Sequence, residues 1–175
     1  MDSCLRKAFL RDGRGRTTET EQGFLFRTAF CGRVEIGMGR RECREEIFKL
    51  LFRVEFNRVE DMPEQMSLFF NDINEEEEPK TVDAESRHYI EGKYRKIMEK
   101  LSEIDRMIDE KAEKWDTKRM SKVDLTIIRL AVYEMRYDDD IPVGVAINEA
   151  VELAKKFGQD ESSGFVNGVL AKFTK

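Results

Sequence analysis

The chain predicts an all-α fold of about seven helices with short connections, and three observations predict it. From Met38 onward, apolar residues recur at three- and four-residue intervals. Helix start signals of the Ser-x-x-Asp type fall at Ser102/Asp105 and Ser121/Asp124. No segment shows the sustained alternation of a strand. The 175 residues, 38% charged and 40% apolar, suit one buried core.

Each element has its own justification. Cys43, Ile47, Leu50, Leu51 and Val54 form one stripe at helical spacing. Met66, Phe69, Phe70 and Ile73 repeat it after Asp61-Met-Pro, where Pro63 suits a first turn. The acidic run Glu75 to Glu78 with Pro79 is a solvated connection. The next helix opens near Asp83 and carries Ile90, Tyr94, Ile97 and Leu101. After the Ser102 signal come Ile104, Ile108, Ala112 and Trp115. Leu125 to Met135 is apolar nearly all round, which predicts the central, most buried helix. Pro142 opens a helix with Val143, Ile147, Ala150, Val151 and Ala154 on one face, and Gly158 closes it as a C′ residue. Ser162 or Ser163 is placed to cap a last helix carrying Phe165, Val166, Val169, Leu170 and Phe173.

Residues 1–37 differ in character. They hold five glycines (Gly13, Gly15, Gly23, Gly32, Gly37), a Thr-Thr-Glu-Thr run from Thr17 and no sustained period. Two readings stand: a poorly ordered extension, or a start assigned too far upstream, with Met38 the natural beginning. The Gly-Arg-Gly-Arg run from Gly13 is a weaker candidate for an RNA-binding tail. The expected organisation is an extension over 1–37 and a helical domain over 38–175.

Several function classes are excluded. The net charge is −5, and the basic excess lies in residues 1–37, so the helical body is acidic. Broad phosphate-driven nucleic-acid binding is therefore not expected, and any RNA contact is a local patch. The cysteines, Cys4, Cys31 and Cys43, form no CxxC pair and meet only one histidine, His88, so no zinc site or other metal is expected. Neither a nucleophile–base motif nor a phosphate-binding glycine loop is present, so neither an enzyme nor a cofactor is expected. No apolar run reaches the roughly 20 residues of a membrane span, and residues 1–37 lack a secretory signal pattern. The expected location is the cytoplasm, away from membranes.

Two places carry candidate binding chemistry. Arg40, Arg41 and Arg44 sit in the first turn of the first domain helix, where the macrodipole favours anions. Arg40 and Arg44 also share a face at i, i+4. The arginines are either an ordinary charged helix end, eased by Glu45, or a guanidinium cluster for phosphates and bases. Phe165 lies in the first turn of the last helix, beside Ser162 and Ser163. Helix-start N–H groups and the two hydroxyls there would suit a phosphate, and the ring an unpaired base. The alternative is a core phenylalanine paired with Val169 at i, i+4.

Three segments carry a resemblance to a known family: Arg40–Arg41 through Phe52; Asp124-Leu-Thr-Ile-Ile-Arg-Leu-Ala-Val-Tyr-Glu-Met; and Ile141-Pro through Leu170. They resemble the NusB family of bacterial transcription antitermination factors, from about Met38 to the end. The last segment is the most specific. The resemblance implies two packed helical bundles. It also implies a non-enzymatic adaptor that, with the ribosomal protein NusE, binds single-stranded boxA RNA of ribosomal RNA leaders. Such adaptors help assemble a termination-resistant RNA polymerase complex. By position, Arg40, Arg41 and Arg44 look like the family's RNA-contacting start, and Phe165 like its base-stacking aromatic. Gly164 stands where relatives often have Lys, which implies weaker RNA binding by the chain alone. The first helix, including Phe52, is expected to border the protein partner. Two alternatives remain: a purely protein-binding helical adaptor, and an accessory domain for an rRNA-modifying enzyme.

Overall fold

Six α-helices and short 3-10 turns make up the architecture, with no strand among the described residues. The computed structural model describes residues 38–75, 82–111 and 117–174. Outside them fall the 1–37 extension, the acidic connection beyond Glu75, and the Ala112 and Trp115 positions of the mid-chain helix.

Helix α1, Arg40–Phe52, begins at Gly39, whose N–H donates to the Glu42 carboxylate (2.9 Å). It buries Cys43, Ile47, Leu50 and Leu51. It ends earlier than the apolar stripe predicts, because Val54 lies in a 3-10 turn, Arg53–Glu55. Helix α2, Met62–Glu75, buries Phe69 and Phe70. Arg53 and Arg87 lie over these two rings, at 5.2 and 4.6 Å from the ring centres.

Helix α3 runs unbroken over Ala84–Lys111. Asp83 caps it by accepting the N–H groups of Glu85 (3.0 Å) and Ser86 (2.8 Å). The start signal at Ser102 predicts a separate helix, but Ser102 is an exposed interior residue of α3. Neither Gly nor Pro interrupts the chain there, so the helix continues, and the described residues hold six helices. Helix α4, Lys122–Tyr137, does start at its signal: the Ser121 hydroxyl accepts the Asp124 N–H (3.2 Å). Every residue from Asp124 to Glu134 is buried, as the apolar run predicts for a central helix.

Helix α5 is Val143–Phe157, and α6 is Ser162–Leu170, followed by a 3-10 turn over Ala171–Phe173. Helices α4, α5 and α6 pack mutually, while α1 and α3 pack on each other and both on α4. The two packed bundles thus share α4 as their common wall. Side chains such as Ile47, Ile97, Ile127 and Leu170 fill the core, each contributing about 1.5–3 kcal/mol by leaving water. No described helix is long and apolar enough to cross a membrane.

Gly158 closes α5, though not in the left-handed conformation expected of a C′ glycine. Its backbone is extended (φ −91°, ψ −172°). Glycine is needed for another reason: a Cβ there would lie 2.5 Å from the Ser162 Cβ and 2.6 Å from the Ala154 carbonyl oxygen. The tight α5–α6 corner depends on that missing atom.

Candidate nucleic-acid interface

The start of α1 faces α5, and the first-turn arginines divide by position. Arg40 is exposed. Arg41 is also exposed, and its Nε and Nη2 donate to the two carboxylate oxygens of Glu149 on α5 (3.2 and 3.1 Å). Those bonds raise the Arg41 pKa further above its usual value. Arg44 turns inward. Its Nε donates to Glu134 on α4 (3.0 and 3.1 Å), and its Nη1 lies 3.4 Å from Glu149.

The Arg44 side chain is only 10% exposed and held by two carboxylates, so it is not available as a surface phosphate contact. Of the three arginines of the expected cluster, two are exposed, and the third, the i, i+4 partner of Arg40, points into the helix junction. This also relieves the like-charge repulsion that the spacing implies.

Glu134 itself is 1% exposed and accepts a further bond from Lys93 on α3 (2.8 Å), which reaches Asp138 at 3.1 Å. Burial pushes the Lys93 pKa down, but the charge of Glu134 and its hydrogen bond outweigh that, so the pKa is raised overall. One ionic chain thus joins Arg41, Glu149, Arg44, Glu134, Lys93 and Asp138 across α1, α5, α4 and α3. Charges removed from water in this way are tolerated only when paired.

The Arg41–Arg44 edge lines a cleft of about 230 Å³ with Glu45, Glu149, Glu152, Leu153, Lys155 and Lys156. Lys156 pairs with Glu45 across it (2.6 Å), and Lys155 with Glu152 (2.8 Å). The cleft is therefore of mixed sign rather than strongly basic.

The start of α6 forms a second feature. The residue preceding the helix is Glu161, with no side-chain cap, and Ser162 is the first helical residue rather than the cap. Its buried hydroxyl accepts the Gln159 N–H (2.9 Å), and its own N–H donates to the Gln159 carbonyl (2.9 Å). The two bonds lock the corner, and the Ser162 side chain is buried there rather than presented at the surface. Ser163 is half-buried and lines a groove with Gly144, Ile147, Asn148, Val151, Gly164 and Asn167. A Cβ at Gly164 would meet open space.

Phe165 sits between core and surface. It packs against the core cluster, yet it is only half-buried and lines a groove with Arg119, Met120, Ser121, Asp124, Gln159, Glu161 and Ser162. The arginine cleft and the Phe165 groove have no lining residue in common. They are connected through α5, which carries Glu149 and leads into the corner.

Phe52 is half-buried in an aromatic row. Its ring centre lies 6.0 Å from Phe48 and 5.0 Å from Phe56, and Phe48 lies 4.9 Å from Phe157. Phe56 at the outer end is 68% exposed. Sequence reasoning singled out Phe52 and missed Phe56, whose exposure follows from the 3-10 turn that ends α1. It also missed Glu134 and Glu149. A glutamate within a helix that is apolar nearly all round was the available signal, since it demands a cationic partner.

Fold and surface together define a small all-helical binding domain with an arginine-bearing helix start and a half-exposed aromatic at a helix corner. The NusB family profile matches residues 41–175. The transcription antitermination protein NusB of Agathobacter rectalis is 54% identical over 136 residues, covering 78% of this chain and 99% of that protein. The solved structure of T. maritima NusB superposes with a TM-score of 0.66 at 38% identity, covering 77% of this chain and 89% of that one. A structure of antitermination factors NusB and NusE in complex with dsRNA, at 24% identity and a TM-score of 0.65, shares the fold; it covers 77% of this chain and 96% of that one. The chain belongs to the NusB family.

Proposed function

We propose that this protein is a transcription antitermination factor of the cytoplasm. With NusE it binds boxA-type single-stranded RNA of ribosomal RNA leaders and contributes to a termination-resistant RNA polymerase complex. The role is one of binding, not catalysis, and it resides in residues 38–175. Arg40 and Arg41 take phosphates, Phe165 stacks on an unpaired base, and Ser163 offers its hydroxyl from the neighbouring groove of α6. Arg44 and Ser162 act from behind, the one holding the α1–α5 junction and the other the α5–α6 corner. The row ending at Phe52 and Phe56 faces the protein partner.

The observation that carries this reading is the pair of exposed guanidinium groups on the first turn of α1, in a chain of net charge −5. Stability alone would put acids there, and a local choice against propensity is where function is expected. The mixed-sign cleft and the acids Asp160 and Glu161 near Phe165 keep affinity for RNA alone low, so the partner's added contacts decide binding.

The test is RNA binding of the full chain, with and without NusE, for wild type and an Arg40→Ala/Arg41→Ala/Phe165→Ala variant. The expected result is weak binding alone, strengthened by NusE, and lost in the variant. A variant that binds boxA-type RNA as well as wild type with NusE present would instead support a purely protein-binding adaptor.

A further inference from the structure

We infer that Glu149 is a positioning residue for RNA binding, holding the Arg41 guanidinium side-on so that its other edge meets a phosphate. The inference rests on the proposal that Arg41 contacts RNA.

A guanidinium has two edges able to make paired hydrogen bonds, Nε–Nη2 and Nη1–Nη2. Glu149 occupies the first edge of Arg41 with both its oxygens (3.2 and 3.1 Å). The second edge belongs to the same rigid plane and carries the donors that remain. With 61% of the Arg41 side chain exposed, that edge is open to a ligand.

The carboxylate is itself anchored, which separates this pair from an ordinary surface ion pair. The Glu149 side chain is 16% exposed, and its Oε2 also lies 3.4 Å from Arg44 Nη1. Arg44 is fixed in turn by the buried Glu134, and Glu134 by Lys93. Arg41 is therefore tethered to a network rooted in three other helices. A free arginine would have to give up its rotamer freedom on meeting RNA, and here much of that ordering precedes binding.

A second effect works against the first, because Glu149 places a negative charge near the incoming phosphate. The two effects have opposite signs, so one substitution separates them. Glu149→Gln keeps the shape and removes the charge. If orientation dominates, binding weakens; if the charge dominates, binding strengthens.

The experiment measures affinity of the full chain for a boxA-type single-stranded RNA across a salt series. It compares wild type, Arg41→Ala, Glu149→Gln and the double variant. Arg41→Ala is expected to weaken binding several-fold and to reduce the salt slope by about 0.7, one single-strand phosphate. Glu149→Gln is expected to weaken binding about three- to tenfold with the slope retained. The double variant is expected to bind like Arg41→Ala alone, because Glu149 acts through Arg41.

Unchanged or tighter binding by Glu149→Gln overturns the inference. So does an equal loss from Glu149→Gln in the Arg41→Ala background, which would mark a general effect on the fold. Wild-type affinity in Arg41→Ala would instead overturn the Arg41 contact on which the inference rests.

Discussion

The start of α1 and the start of α6 carry the two candidate contacts, and they are built on opposite plans. At α1, charged side chains do the positioning: Arg41 is held by Glu149, and the network behind it runs through the buried Glu134. At α6, backbone geometry and packing do it: Gly158 permits the close corner, Ser162 locks it, and Phe165 rests against the core. The difference teaches that the α1 contact should respond to salt and charge substitutions, and the α6 contact to changes of shape.

The largest expected effect breaks the α1 side from beneath. Glu134→Ala leaves Arg44 and Lys93 buried without their shared carboxylate, and removing one partner of a buried pair costs about 3–5 kcal/mol. Urea unfolding should show a loss of that order. A loss below about 1 kcal/mol would mean the two cations find water or other partners.

The matching change on the α6 side is Gly158→Ala. The added methyl meets the Ala154 carbonyl oxygen as well as Ser162, so backbone must move, at a cost of about 1–3 kcal/mol. Thermal unfolding should fall accordingly, and the Arg41 side of the surface should keep its salt response.

Phe165→Ala and Arg40→Ala sharpen the contrast in binding. Phe165→Ala should cost about 1–3 kcal/mol of RNA affinity, the worth of one stacked base, with the salt slope unchanged. Arg40→Ala should lower the salt slope by about 0.7 while leaving stability within about 0.5 kcal/mol of wild type. A reversed pattern, with the slope falling for Phe165→Ala, would undo the division between charge and shape.

The smallest effect lies at the other end of α1. Burial raises the Glu55 pKa, but hydrogen bonds and charge from Lys122 and Arg129 outweigh it, and the pKa is lowered overall. A folded-state pKa below the unfolded one stabilises the fold above the ordinary value of 4.5, and that stability is lost as pH falls through the lowered value. Glu55→Gln should therefore reduce stability at neutral pH and flatten its loss in acid, as followed by unfolding across a pH series.

Much of the fold could be read from local pattern. The central position of α4 followed from its apolar run and its start from the Ser121 signal, and the helix start near Asp83 was placed as well. The Ser102 signal misled because a start signal is a local preference, and a chain of good helix formers on both sides overrides it. The site was only half legible. Arg40 and Arg41 stood out because they oppose the helix dipole. The inward turn of Arg44 was hidden because its partners Glu134 and Glu149 lie 90 and 105 residues away in sequence. Ser162 read as a cap because spacing alone does not say which way a hydroxyl turns at a corner.

The most direct test of the two-part surface is the pattern of backbone amide shifts in the full chain, with NusE bound, as boxA-type RNA is added. Shifts gathered on the first turns of α1 and α6, at Arg40, Arg41, Ser163, Gly164 and Phe165, are predicted. Shifts confined to the Phe52–Phe56 row, or absent from both helix starts, would contradict the account.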